Sequence, residues 1–292
     1  MSRHRNNHRT NRQRRPLHRR GLTLMELMMV TTILVMMAGA MAALATVVQS
    51  GSDFNHANSV VTQYGRVALE RIERAVSSAT ANAEFPGCFV YSEQFDEWNY
   101  PDTLIVWHPT ETAADPSGLP MIDELVVFCA NPESPSELLE IRLSDVPGAV
   151  PALDDNVGWQ MLLTEFKFGN TAKRVPLTDL LRTAAPTNGH TVPERGAVRF
   201  DVRLRPSAAE WSEFQRGTRD WDDLSWAQSI HGSGTGLRQT WCRIELQLQM
   251  EQFLPAGGSK MGTSEPGVSG TGADTTTPFF GSATVYHELH RS

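Results

Sequence analysis

The residue that most constrains the chemistry of this chain is Glu26, a single carboxylate that immediately precedes a long apolar segment. Residues 27–48 are 22 positions without a charge, enough to cross the hydrocarbon core of a bilayer as a helix. A carboxylate in lipid costs about 2.5–3.5 kcal/mol near the centre and less near an interface. We therefore expect Glu26 to pair with a cation, and the identity of that cation to indicate the function.

The segment around Glu26 resembles the processing motif of a known family. Residues 21–26 are Gly-Leu-Thr-Leu-Met-Glu, and they lie between an arginine-rich leader and the apolar segment. This pattern is similar to the cleavage and methylation motif of type IV prepilins and of the pseudopilins of type II secretion. Leu22 stands where the family more often has Phe.

The resemblance implies a defined maturation and assembly. Prepilin peptidase would cut between Gly21 and Leu22, and the new amino terminus of Leu22 would be N-methylated. Glu26 would then pair with the terminal ammonium of a neighbouring subunit, with Thr23 and Leu24 in the same assembly motif. The implied partners are other pilin or pseudopilin subunits, prepilin peptidase and the assembly platform of the inner membrane.

Three other export signals fit parts of the same segment. Ala43-Leu44-Ala45 could serve as an ordinary signal-peptidase site, but the apolar core is longer than the usual 7–15 residues. The second alternative is twin-arginine export, because Arg19-Arg20 directly precedes the apolar segment. The third alternative is a signal anchor that is not cleaved. Positive charge stays inside in every case. We expect a single span in the cytoplasmic membrane with the head outside, and later a place in a pilus or pseudopilus.

The charge of the chain is uneven. Residues 1–21 hold eight arginines and no acid, although the whole chain has a formal net charge of −7. A basic leader can indicate nucleic-acid binding, but these arginines adjoin a membrane span and would be removed by cleavage. The acidic remainder gives no support for a nucleic-acid partner.

The three cysteines are too few for a disulfide framework. An exported head permits one bridge and leaves one thiol. Cys242 lies in an alternating segment that points it inward, which favours an inert core thiol. Cys88 and Cys129 are therefore the candidate disulfide pair.

The sequence shows no persuasive catalytic constellation. It has no G-x-S-x-G, no phosphate-binding glycine loop and no H-E-x-x-H. We expect no enzyme, no catalytic or metal residues and no cofactor. Residues 154–156 and 220–223 could offer oxygen ligands to calcium, but such clusters more often form turns. His287 and His290 are expected to be solvated.

The helix that begins near Leu22 is predicted to continue beyond the membrane. No proline occurs between residues 22 and 85, Gly51 is the most flexible point, and Pro86 marks the end. Val67 to Arg74 also resembles the helix of J-type minor pseudopilins and W-type minor pilins. An apolar stripe with helical spacing consists of Phe54, Ala57, Val61, Tyr64, Ala68, Ile72, Ala75 and Ala79.

The chain after Pro86 is predicted to form an antiparallel sheet. Residues 159–168 fit a strand or a short helix. One long helix followed by strands predicts an α+β fold in which the helix packs on the sheet of a globular head, as in pilins. Strands are expected at residues 87–91, 103–107, 125–129, 138–143, 198–205 and 242–250, and the last two alternate in a way typical of one wet face.

These features predict five segments. They are a cleaved basic leader (1–21), a transmembrane and filament-core helix (22–48), its amphipathic continuation (49–85), a β-rich head (86–254) and a flexible tail rich in Gly, Ser and Thr (255–292). Within the head, residues 206–240 are an expected insertion. Its Trp211, Trp221 and Trp226 either dock another subunit or bury a loop against their own domain.

Two functions are consistent with the sequence. The first is a minor pilin or pseudopilin, a structural subunit of a type IV pilus or a type II secretion pseudopilus. The alternative is an exported enzyme or binding domain, which an uncleaved anchor tethers or an ordinary or twin-arginine signal peptide releases.

Overall fold

The protein is described by a computed structural model for residues 23–95, 98–144, 146–184, 194–223, 235–250 and 276–290. The chain divides into two compact units, residues 1–55 and 56–292. The described elements are one long helix, two shorter helices and antiparallel strands, so the fold is α+β.

The first unit contains the beginning of helix α1 (Leu24–Ser77). The helix is unbroken at Gly51, the predicted flexible point. The helix includes a window with a mean hydropathy of 2.2, and by length and composition it is sufficient to cross a membrane. The apolarity of this helix and its place near the N-terminus are therefore consistent with a single-pass membrane anchor.

The second unit contains a five-stranded antiparallel sheet that follows the chain order. Each strand pairs with the next, and α2 (Asn156–Phe168) lies between the fourth and fifth strands in the sequence. The segment that fitted a strand or a helix is therefore helical. The strands are β1 (Cys88–Phe95), β2 (Trp98–Trp107), β3 (Leu125–Ala130), β4 (Leu138–Leu143) and β5 (Ala172–Thr178).

The same unit has a three-stranded antiparallel sheet in which the middle strand is β9. Its strands are β8 (Val198–Arg205), β9 (Thr235–Gln249) and β10 (Thr276–His290). The short strands β6 (Thr183–Ala184) and β7 (Arg195–Gly196) pair separately, and α3 (Ala208–Gln215) follows β8.

Two cores lie on opposite faces of the five-stranded sheet. Leu104, Val106 and Val126 belong to the first core, which also receives residues of α1, β8, β9 and β10. Ile105 and Val127 belong to the second core, beneath α2. Because successive side chains of a strand point to opposite faces, the continuous apolar run in β3 follows from burial on both sides.

Two predicted segment boundaries are wrong. Helix α1 ends at Ser77 rather than at residue 85, because Asn82 organises a turn: its Oδ1 accepts hydrogen bonds from the backbone N–H groups of Glu84 and Phe85 at 2.9 and 2.7 Å. The predicted flexible tail contains β10, which pairs with β9 along its whole length. Gly, Ser and Thr dominate residues 255–275, outside the described part, and that composition concealed the strand that follows.

The predicted insertion at residues 206–240 is partly regular structure. Ser207 and Glu210 form a capping box that begins α3. Trp211 is buried and stacks on Phe214 with ring centroids 5.4 Å apart, so this tryptophan packs against its own domain. The end of the segment belongs to β9. The side chain of Trp221 and all of Trp226 lie outside the described residues.

Candidate functional site

The predicted assembly motif lies at the start of α1. Glu26 Oε2 accepts hydrogen bonds from the backbone N–H and the hydroxyl of Thr23, each at 3.0 Å. The backbone N–H of Glu26 donates to Thr23 Oγ1 at 3.3 Å. This is a capping box, in which two residues satisfy the free donors of a helix N-terminus. Gly21 and Leu22, the predicted cleavage site, lie outside the described residues.

The carboxylate of Glu26 has only local, uncharged partners in the part of the chain that the structure describes. Thr23 supplies its hydrogen bonds, and no lysine, arginine or histidine among the described residues forms an ion pair with it. The positive end of the helix dipole favours an acid here, but by only about 0.3–1 kcal/mol at an exposed position. The described part of the chain therefore provides Glu26 with no full counter-charge.

The apolar side chains that follow Glu26 are exposed. Leu24 is 78% exposed, Val35 71% and Leu44 70%. Burying apolar surface stabilises by about 25 cal/mol per Å², and a contiguous apolar surface of this size marks a membrane or a protein interaction site. This segment of α1 therefore needs lipid or other helices around it.

The structure does not bring together the predicted disulfide pair. Cys88 pairs in register with Val106 and lies in the first core, whereas Cys129 points into the second core. A disulfide requires Cα atoms within about 7 Å and facing Cβ atoms, which opposite faces of a sheet do not offer. The prediction of a Cys88–Cys129 bridge is wrong, and all three cysteines are free thiols in the structure. Cys242 is buried, as predicted.

The head contains an ion cluster beside α2 that the sequence did not indicate. Lys167 Nζ donates to Glu93 Oε1 and, at 3.2 Å, to Thr103 Oγ1. Arg195 donates to Glu93 Oε2 at 3.0 Å and to Asp102 Oδ2 at 2.9 Å. The four charged residues are scattered over β1, β2, α2 and β7, so no sequence spacing could have revealed them.

In this cluster, burial and ion pairing shift the pKa values of the charged groups in opposite directions. Burial lowers the pKa of Lys167, but the surrounding groups, Cys129, Glu93 and Asp102, raise it above its ordinary value. Burial raises the pKa of Asp102, and the attraction of Lys167 and Arg195 does not cancel this effect. Because two cations face two carboxylates, the cluster is balanced without a ligand.

Two clefts adjoin the ion cluster. The larger, about 830 Å³, is lined by Tyr91, Trp159 and Gln160, and the smaller, about 240 Å³, by Pro132 and Cys129. Cys129 is a poor nucleophile because burial raises its pKa to about 12. Among the described residues that line the clefts, we find no activated nucleophile.

The residues considered as calcium ligands serve local structure. Asp155 caps α2 by accepting a hydrogen bond from the backbone N–H of Gly158 at 2.9 Å. The backbone N–H of Asp220 donates to Asp223 Oδ2 at 3.3 Å. His287 is on β10, and the side chain of His290 lies outside the described part of the chain. Among the described residues, no group of three or more His, Cys, Asp or Glu side chains could hold a metal ion.

Searches among protein-family models, curated proteins and solved structures find no match for this chain. Its function therefore has to be inferred from its own residues.

Proposed function

We propose that this protein is a minor pilin or pseudopilin. Prepilin peptidase removes residues 1–21 by cutting between Gly21 and Leu22, and Leu22 becomes the methylated amino terminus. Before assembly, the chain is a single-pass protein of the inner membrane with its head outside. It then joins a pilus or pseudopilus through helix α1, in a pilin-like arrangement of helix and β-rich head.

The observation that carries the proposal is the environment of Glu26. This acid begins an exposed apolar helix and has only Thr23 as a hydrogen-bonding partner in the described part of the chain. Cleavage after Gly21 creates a new cation, the amine of Leu22, at the same end of the helix. At this end of α1 each mature subunit then has one carboxylate, that of Glu26, and one ammonium, that of Leu22, and we infer that the two groups pair with different neighbouring subunits.

This pairing of unlike groups on neighbouring subunits has a structural consequence. A contact that uses two different surfaces of the subunit does not limit assembly to a closed dimer, and it generates an open helical filament when the rotation does not close. The apolar side chains of α1 supply the area that is buried in the bundle. The charge pair sets the axial register, because a buried carboxylate without its partner costs several kcal/mol.

Substitution of Glu26 tests the proposal. Glu26→Ala and Glu26→Gln both remove the charge, and we expect each to reduce incorporation into sheared or cross-linked filaments at least tenfold, since a charge-assisted hydrogen bond contributes about 1.5–3 kcal/mol. The measurement is the filament fraction relative to the membrane level of the same protein.

Glu70→Ala is the matched control. Glu70 is an exposed acid on the same helix whose ion pair is with Arg74, at 2.5 Å. We expect wild-type incorporation for this variant. Normal incorporation of Glu26→Ala would contradict the proposed role of the acid.

A second candidate function is an exported binding domain on an uncleaved anchor. The cleft of about 830 Å³ beside α2 is the observation that favours it. The two functions differ at the N-terminus, because an anchor keeps residues 1–21 whereas a filament subunit loses them. They also differ at Glu26, where substitution is expected to have no effect on an anchored domain.

A further inference from the structure

The segment between α1 and β1 is held by one face of β9. Arg238 Nη1 donates to the carbonyl oxygen of Ala83 at 3.1 Å. Thr240 Oγ1 donates to the carbonyl oxygen of Pro86 at 2.6 Å, in a fully buried contact. Arg238 and Thr240 are two positions apart on a strand, so their side chains point to the same face.

The next residue on this face of β9 is Cys242, and the next apolar residue along the opposing segment is Cys88. Thr240 and Pro86, which are in contact, each lie two positions before one of these cysteines, and this places the two thiols beside each other in the first core. Both side chains are fully buried in the first core. Packing is tight here, because a Cβ at Gly87 would come within 2.9 Å of the Val285 side chain on β10, the strand that pairs with β9.

We propose that Cys88 and Cys242 form a disulfide in the mature head. This bond joins β1 of the five-stranded sheet to β9 of the three-stranded sheet. The proposal rests on the proposed function in one respect, the export of the head to an oxidising compartment. The geometry of the pair does not depend on it. Cys129 has its side chain in the second core and remains the free thiol.

The bond forms by thiol–disulfide exchange with a protein that carries an oxidised dithiol pair. The thiolate of one cysteine attacks a sulfur of the oxidant and releases one of its thiolates, which gives a mixed disulfide. The second cysteine attacks the first sulfur and displaces the other thiolate of the oxidant. Two electrons and two protons leave the pair, and the oxidant ends as a dithiol.

The exchange precedes closure of the first core. The hydrogen bond with Cys242 and burial both raise the pKa of Cys88 well above its usual range. A thiol in that state is hardly ionised at neutral pH and does not attack an external disulfide. In the unfolded exported chain both thiols are accessible, and folding then encloses the finished bond.

The first experiment tests the pairing without reference to export. The full-length protein is unfolded with reductant in detergent, refolded in a glutathione redox buffer, alkylated and digested without reduction. We expect a linked peptide pair that contains Cys88 and Cys242, with Cys129 alkylated only after unfolding. A product that joins Cys129 to either partner, or three alkylated cysteines, overturns the proposal.

The second experiment uses protein taken from the membrane after rapid alkylation, with the N-terminus of the same sample determined. We expect the linked pair in chains that begin at Leu22. Chains that begin at Leu22 with three alkylated cysteines overturn the disulfide and leave the proposed function intact. Chains that keep residues 1–21 and nevertheless contain the linked pair overturn the proposed function alone.

Matched variants separate the bond from ordinary packing. Wild-type protein refolded in reductant should have a Tm roughly 10 °C below that of wild-type protein refolded with the bond, because the bond closes a long loop. Cys129→Ser should keep this difference, whereas Cys88→Ala/Cys242→Ala should lose it. An equal Tm for the two wild-type preparations overturns the proposal.

Discussion

The two parts of helix α1 differ in whether their apolar side chains are exposed or buried. From Leu24 to Val48 the large apolar residues are exposed. In the head, Val61, Ala68 and Ile72 of the same helix are buried in the first core. The head therefore provides an apolar environment for its part of the helix, whereas the described residues provide none for the N-terminal segment. Helix α1 is a core element in one unit and an exposed apolar surface in the other.

The two regions also differ in whether an acidic side chain has a cationic partner among the described residues. Glu140 on β4 is buried, and the guanidinium of Arg71 on α1 donates two hydrogen bonds to it at 2.6 and 2.8 Å. Glu26 has Thr23 and no cation among the described residues. The acid in the head has its counter-charge within the chain, and the proposed partner of Glu26 is another subunit.

Replacing one isoleucine in each region should give the largest contrast. Ile72 is fully buried and Ile33 is 58% exposed. We expect Ile72→Ala to lower the free energy of unfolding of the head by about 2–5 kcal/mol, because it leaves a cavity. Ile33→Ala should change it by less than about 0.5 kcal/mol. Urea unfolding in detergent, followed by tryptophan fluorescence, measures both, and equal effects would contradict the division of roles.

Removal of Arg71 should have an intermediate effect. Arg71→Ala leaves the buried carboxylate of Glu140 with Arg142 at 3.5 Å, and we expect a loss of about 1–3 kcal/mol in the free energy of unfolding. The control is Arg74→Ala, which removes an exposed pair on the same helix and should cost less than about 0.5 kcal/mol. A similar loss in both variants would show that burial of Glu140 has no energetic importance.

The same pair predicts a dependence on pH. Burial raises the pKa of Glu140, but the hydrogen bonds from Arg71 and the charges of Arg71 and Arg142 lower it more, so the folded pKa lies below the ordinary 4.5. The stabilisation is present above that ordinary value and is lost as pH falls through the folded pKa. In unfolding titrations below pH 4.5, Glu140→Gln should therefore show a shallower loss of stability than the wild type.

Two glycines of α1 should give the smallest contrast. A Cβ at Gly65 would come within 2.6 Å of the ring of Phe279 on β10, whereas nothing lies within 4 Å of one at Gly51. Overpacking costs about 1–3 kcal/mol, and the helix gains about 1 kcal/mol from replacing glycine. Gly65→Ala should therefore lower the Tm of the head by a few degrees and Gly51→Ala should leave it unchanged. A raised Tm for Gly65→Ala would show that Phe279 moves aside freely.

Local patterns predicted most of the secondary structure. The apolar stripe of α1, the double-sided burial of β3 and the alternation of β8 and β9 all follow from periodicity, and the structure confirms the α+β class. The end of α1 was missed because it depends on the side-chain turn at Asn82. Strand β10 was missed because the Gly-, Ser- and Thr-rich composition of residues 255–275 led to the prediction of a flexible tail that included it.

For the candidate sites, too, the sequence predicted features that depend on neighbouring residues and missed those that depend on distant ones. The resemblance at residues 21–26 indicated a function from adjacent residues, because that motif is local. The ion cluster around Lys167 and the shared core of Cys88 and Cys242 bring together residues that are distant in the sequence, so no sequence spacing could indicate them. The disulfide prediction failed because alternation placed Cys242 inward but did not show which other cysteine faces the same core.

The most direct test of the filament role is the mass of the N-terminal peptide of protein taken from the membrane and filament fractions. The proposal predicts a chain that begins at Leu22 with a methylated amine, and a Gly21 variant that blocks cleavage should keep residues 1–21 and stay out of filaments. A functional protein that retains residues 1–21, or one that begins after Ala45, would contradict the account.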